Sequence, residues 1–272
     1  MFNVYETKIM QKYLKDGQIY NPNYDETGLQ VNNHYAFFGG TGTGKTNAVA
    51  VLLQLAFQDC FKQIIIFTND PDEKIYNMMI NEIPNCNIFS YDDFIDYEDI
   101  EKDGQKLIIF DDFIAQDKKI INKIFKYAIQ ARKKYCTCFY LCQDFFSVPK
   151  KMRNQFAYYI FLKLTNKNDI SLISRFLPFQ IEKLLIQEII NNATTHKFNI
   201  CIVDVKTQDK NLIFRRNLND YYTPDDLYLY EDNPIEKKKI TKQSQSEFKN
   251  SQSNHKVKKT IKKIIKKKKI KI

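Results

Sequence analysis

Four of the seven glycines in this 272-residue chain fall between positions 39 and 44, and no other feature restricts the possible folds as strongly. In Gly39-Gly40-Thr41-Gly42-Thr43-Gly44-Lys45-Thr46 the spacing satisfies G-x-x-x-x-G-K-[ST], the pattern of a phosphate-binding loop. An apolar strand over Tyr35 to Phe38 precedes it and a helical pattern over Asn47 to Gln58 follows, which is the context the pattern requires. Glycines let successive backbone N–H groups curl around phosphate oxygens, and the next helix adds the partial positive charge of its N-terminus. Lys45 is then expected to reach the β- and γ-phosphates, and the Thr46 hydroxyl to ligate Mg²⁺. The expected ligands are ATP and Mg²⁺, with Gly39–Thr46 as the nucleotide-binding residues.

The rest of the chain alternates strand and helix patterns. Gln63 to Thr68 and Lys106 to Asp112 carry continuous apolar runs, as strands of a parallel sheet covered on both faces do. Asp72 to Ile83 predicts a helix stopped by Pro84, Asn87 to Ser90 a short strand, and Ile120 to Lys133 a basic amphipathic helix. Cys136 to Cys142 and Tyr158 to Leu164 predict two further strands, and Ile170 to Asn191 a helix broken near Pro178. Phe198 to Val205 and Asn211 to Arg216 predict a C-terminal hairpin around Gln208-Asp209-Lys210. This order implies an α/β domain with a central, mostly parallel sheet flanked by helices. The expected organisation is an N-terminal arm over 1–30, a P-loop domain over 31–235 and a Lys-rich, disordered tail over 236–272.

Charge follows the same division. The formal net charge is +10, but residues 236–272 hold fifteen Lys, no Arg and two acids, leaving −3 on residues 1–235. Such a tail is expected to bind polyanions in a salt-sensitive way, DNA or an acidic partner first. Nuclear import, capsid contact, or a membrane-facing helix presenting Ile261, Ile264, Ile265 and Ile272 are the alternatives. No run of 18 apolar residues and no basic-then-apolar leader is present, so a soluble, intracellular chain without a transmembrane segment is expected. The six cysteines lack C-x-x-C spacing and fit small, reduced core residues.

A nucleotide loop needs an acid at the end of a neighbouring strand. Asp70 is one candidate, but Leu107–Phe110 runs directly into Asp111-Asp112 and fits better. Asp111 is expected to hold the Mg²⁺ shell and Asp112 to orient or deprotonate the attacking water. A strand–helix unit separates loop and acids in sequence, the additional-strand layout of P-loop motors. Gln143, at the end of the next strand, is expected between the acids and the γ-phosphate, where it can sense that phosphate. Five arginines stand out among many lysines: Arg132, Arg153, Arg175, Arg215 and Arg216. Arg132 and Arg153 flank the Gln143 strand, and either could act as a finger on a neighbouring subunit's γ-phosphate. Pro149-Lys150-Lys151-Met152-Arg153-Asn154 could line a DNA path.

In this order, Gly39–Thr46, Leu107–Asp112, Arg132-Lys133-Lys134, Phe139-Tyr140-Leu141-Cys142-Gln143, Val148–Asn154 and Phe161-Leu162-Lys163-Leu164 resemble the FtsK/HerA superfamily. Within it the chain is similar to the small genome-packaging ATPases of poxviruses, giant viruses and virophages, over roughly residues 30–220. The resemblance implies a RecA-like ATPase that assembles as a homo-oligomeric ring of five or six subunits. It also implies pumping of double-stranded DNA into a capsid inside the infected host cell, with capsid or virion proteins as further partners. One departure is Asp112, where many relatives carry Glu. Two other functions stay open at this point. Asn166-Lys167-Asn168-Asp169 matches the guanine-reading N-K-x-D of a GTP switch, although Asp111-Asp112-Phe113-Ile114 lacks the glycine of D-x-x-G. A scaffold that holds ATP without cycling it is the other.

Overall fold

In the computed structural model the described residues are 20–164 and 167–223. The Lys-rich tail, residues 1–19 of the expected arm, and Asn166 of the N-K-x-D sequence lie outside them.

Nine strands appear among the described residues: β1 (His34–Phe38), β2 (Gln63–Phe67), β3 (Cys86–Phe89), β4 (Lys106–Asp111), β5 (Cys136–Cys142), β6 (Tyr158–Phe161), β7 (Cys201–Asp204), β8 (Phe214–Arg216) and β9 (Asp220–Tyr221). The helices are α1 (Tyr24–Thr27), α2 (Lys45–Leu55), α3 (Lys74–Glu82), α4 (Lys118–Gln130), α5 (Lys150–Arg153), α6 (Lys167–Phe176) and α7 (Lys183–Ala193). All nine strands join one sheet in the order β3-β2-β4-β5-β1-β6-β7-β8-β9. From β3 to β6 every pairing is parallel; β7, β8 and β9 add an antiparallel edge that contains the expected hairpin. β5 lies between β1 and β4, with Phe38 opposite Cys142 and Asp111 opposite Leu141. The fold is therefore the α/β, mostly parallel P-loop architecture with an additional strand between loop and acids.

Central strands must be apolar on both faces because helices cover both. β1, β5 and β6 are buried at every position. On one face Tyr35, Phe37, Phe139 and Tyr158 pack with Val49, Leu52 and Leu53 of α2, and the Tyr35 and Tyr158 rings stack at 4.4 Å. On the other, Phe110 of β4 lies against Tyr140 of β5 and Tyr127 of α4, with ring centroids 5.2 Å apart in each pair. α4 starts where the Asp117 carboxylate accepts from the Ile120 N–H at 2.8 Å, satisfying an otherwise unpaired helix donor. All six cysteines are buried and free, and burial pushes the Cys136 thiol up to about 11, so it stays protonated and inert. Among the described residues no helix is long and apolar enough to cross a membrane.

Residues 20–30 of the expected arm pack onto the rest of the fold: Leu29 is fully buried, and the Asn21 amide donates to the Leu29 and Ala56 carbonyls at 2.7 and 3.0 Å. One expectation needs correction. The scarcity of Arg does not mark phosphate contacts at Arg215, which is buried, donates to the Thr27 carbonyl and to the Tyr221 hydroxyl, and lies 5.2 Å from the Tyr221 ring. Both follow from long-range packing: the 21–31 segment closes over α2, and Arg215 is the group that ties it to the sheet edge.

Candidate functional site

In a parallel sheet ligands gather at the carboxyl ends of the strands, where helix N-termini point. β1, β5 and β4 bring Gly39–Thr46, Gln143 and Asp111-Asp112 to that edge together. The loop needs its glycines for identifiable reasons. A Cβ at Gly39 would stand 2.8 Å from the Leu162 Cβ and 2.7 Å from the Thr43 hydroxyl. Gly42 and Gly44 have φ of 72° and 100°, in the region where side chains are strained. The Thr43 hydroxyl donates to the Gly40 carbonyl at 2.7 Å, and Lys45 Nζ donates to the Gly39 carbonyl at 2.9 Å, so the ammonium spans the loop's mouth.

Asp111 is held by residues that the sequence did not mark. The Tyr76 hydroxyl, from α3, donates to Asp111 Oδ2 at 2.6 Å; Thr68 Oγ1, just after β2, lies at 3.5 Å; the Tyr91 hydroxyl donates to the Asp111 carbonyl at 2.8 Å. Burial pushes the Asp111 carboxyl up from its ordinary range and Asp112 adds to this, while Tyr76, Lys45 and Thr68 oppose it. Glu73, at the start of α3, joins the group. Its carboxyl is raised by burial and by Asp111 and Asp70, against a hydrogen bond with Thr46 and the charge of Lys45. The only sequence hint was the polar turn Thr68-Asn69-Asp70 after an apolar strand; Tyr76 reads as one more buried helix residue.

The donors Thr46 Oγ1 and Asp111 are hard oxygens of the kind Mg²⁺ takes, and the crowded carboxyls favour a cation. Among the described residues no cluster of three His, Cys, Asp or Glu side chains could hold a metal. Thr46 and Asp111 are thus the residues that would hold an Mg²⁺ here.

Asp112 turns the chain out of β4 with φ 50°, a left-handed conformation that a non-glycine residue adopts at a cost. Gln143 donates through Nε2 to Asp112 Oδ2 at 2.6 Å and accepts from the Thr41 hydroxyl at 3.2 Å. One amide therefore joins the phosphate loop to the second acid.

The two arginines are placed differently. Arg132 is exposed in the single turn Ala131–Lys134 that enters the opposite end of β5, about 20 Å from Gln143 along the strand. Arg153 is 8% exposed, and its guanidinium lies 4.8 Å from the Phe145 and Phe146 ring centroids and 4.9 Å from that of Phe176. It is packed among rings at the back of the strand tips. Of the N-K-x-D sequence, residues 167–169 form the first turn of α6.

Replacing Tyr76 with Phe deletes the bond that holds the Asp111 carboxyl down, so the carboxyl rises further. The carboxylate must be ionised to bind a cation; the acid limb of the pH–rate profile is therefore expected to move to higher pH. Turnover should fall by up to about tenfold on the acid limb and less above it, as measured by steady-state phosphate release.

The model of the family described as Poxvirus A32 protein matches residues 24–211. Among solved structures, the chain is similar to B204, the DNA-packaging ATPase from Sulfolobus Turreted Icosahedral Virus. Identity is 13% over 70% of this chain and 99% of that one, with a TM-score of 0.51. The genome-packaging NTPase B204 from Sulfolobus turreted icosahedral virus 2, solved in complex with ATP-gammaS, aligns at 16% identity over 69% of this chain and 97% of that one, with a TM-score of 0.49. At 13% identity the first of these matches speaks for the fold alone. None of the curated proteins matches this chain.

Proposed function

The chain belongs to the Poxvirus A32 protein family, and from that premise we propose that it is an ATPase that drives packaging of double-stranded viral DNA. It acts in the infected cell, as a ring of five or six copies against a capsid. The observation that carries this is the Gln143 amide, bonded at once to Thr41 of the phosphate loop and to Asp112.

The chemistry follows from the positions of the side chains. The backbone N–H groups of Gly39–Thr46 cradle the triphosphate, and Lys45 exchanges the Gly39 carbonyl for β- and γ-phosphate oxygens. Thr46 and Asp111 would hold Mg²⁺, which when bound neutralises charge on those oxygens. Asp112 takes a proton from the attacking water as its oxygen bonds to the γ-phosphorus. The bond from that phosphorus to the bridging oxygen breaks, and ADP leaves with the electron pair. Gln143 feels the loss of the γ-phosphate through Thr41 and passes it to Asp112 and β5. Arg132, at the far end of β5, serves the site of a neighbouring subunit. Lys150 and Lys151, both exposed on α5, and the basic tail contact the phosphate backbone, which carries charge but no sequence information.

Steady-state ATP hydrolysis with and without double-stranded DNA tests this. Duplex DNA is expected to stimulate turnover by a factor of about three or more, less as salt rises. Truncation after Pro234 should weaken that response and leave basal turnover. ATP bound without turnover would favour the scaffold function, and preferential GTP turnover the switch.

A further inference from the structure

We infer that the cleft between α2 and the antiparallel edge of the sheet receives the nucleobase of the bound nucleoside triphosphate, with the Phe198 ring as its stacking face. This rests on the phosphate-loop assignment above and adds the part of the ligand that the loop itself cannot recognise.

The cleft has a volume of about 530 Å³ and begins at Asn47, immediately after Thr46. It continues along Val51 and Leu55 of α2, with Ile200 and Arg216 opposite. From Asn47 to Leu55 the helix rises about 12 Å. A nucleotide whose phosphates occupy the loop can lay its ribose and base along this line. The lining is suited to an apolar, flat group. Val51, Leu55 and Phe198 are 40%, 55% and 53% exposed, three large apolar side chains left uncovered around one concavity.

Phe198 is built into that position. Its φ of 69° is left-handed, which a bulky residue adopts only where its surroundings hold it there. The ring lies directly on the phosphate loop: a Cβ at Gly44 would stand 2.7 Å from Phe198 Cδ1. Lys197 Nζ is 4.9 Å from the same ring centroid, on an exposed side chain that a stacking base would displace. The far wall is fixed rather than soft. Arg216 Nε donates to Asp220 at 2.8 Å, and the Asn217 side chain accepts from the Ile200 N–H at 3.2 Å. Every base offers a π-face, and the cleft meets it with an aromatic ring one step from the phosphates.

The test is calorimetric titration of the full chain with Mg²⁺–ATP and, separately, Mg²⁺–tripolyphosphate, which has no base. Two variants change the cleft in opposite ways. Phe198→Asn removes the ring with a residue that tolerates left-handed backbone, and Val51→Trp fills the space from α2. Each is expected to weaken ATP binding about 10- to 100-fold and leave tripolyphosphate binding unchanged. Equal weakening of both ligands in both variants, or no change in ATP binding, would overturn the proposal. So would a native protein that binds tripolyphosphate as tightly as ATP. Lys45→Ala separates this from the parent assignment: it should lose both ligands, and if it keeps both, the phosphate loop itself is misassigned.

Discussion

Exchanging Asp112 for asparagine should lower ATP turnover by about 10²- to 10⁴-fold, the usual contribution of a positioned general base. ATP affinity should stay close to that of the native protein, because Asp112 is the second of the two acids and the loop that grips the phosphates is untouched. The substitution isolates chemistry from structure unusually well. Asparagine accepts the left-handed backbone at this position as readily as aspartate does. Its side-chain oxygen can still accept from Gln143 Nε2, so the link from Thr41 through Gln143 survives. What disappears is the ability to take a proton. Single-turnover hydrolysis alongside ATP binding measures both sides. Native turnover in this variant would move the base to another carboxyl, such as Glu73, which bonds Thr46 and feels the Asp111 charge.

Replacing Arg132 with alanine should lower turnover by about 10³-fold, as removal of an arginine finger does, although Arg132 is distant from the loop of its own chain. The sign of this result depends on assembly. Arg132 stands at the entry of β5 and Gln143 at its exit, so the guanidinium can complete a site only in another copy. A heterologous ring contact supplies such an arrangement, each subunit presenting one end to the opposite end of the next. Mixing Arg132→Ala with Lys45→Ala should therefore restore activity that neither has alone, since some interfaces then pair an intact loop with an intact arginine. Absence of recovery in mixed oligomers would remove the trans role. Arg153→Ala is the contrasting case: with its guanidinium among Phe145, Phe146 and Phe176, its loss should show first as a lower melting temperature.

The phosphate loop was legible because its requirements are local. Gly42 and Gly44 are glycines for their backbone angles, and Gly39 for a close approach; such needs write themselves directly into residue type. The sheet was legible for a similar reason, since strands covered on both faces must be apolar throughout, as Leu107–Phe110 and Phe139–Leu141 are. Arg153 shows the limit. Scarcity of arginine in the sequence suggested a phosphate contact at Arg153 and Arg215 alike, but both guanidinium groups lie within the fold, Arg153 against the Phe176 ring and Arg215 donating to the Thr27 carbonyl, each with its Nε unpartnered.

By itself, then, the sequence determined the loop, the acids that face it and the alternation of strand and helix, because backbone conformation and burial of a continuous run depend on neighbours in the chain. Only the tertiary structure decided which side chains from distant segments meet there. Tyr76 reaches Asp111 across 35 residues and Gln143 reaches Thr41 across 102. Phe198 lies on Gly44 because the antiparallel edge folds back beside α2. Such contacts are set by strand order and chain crossing, which leave no periodic trace in residue type.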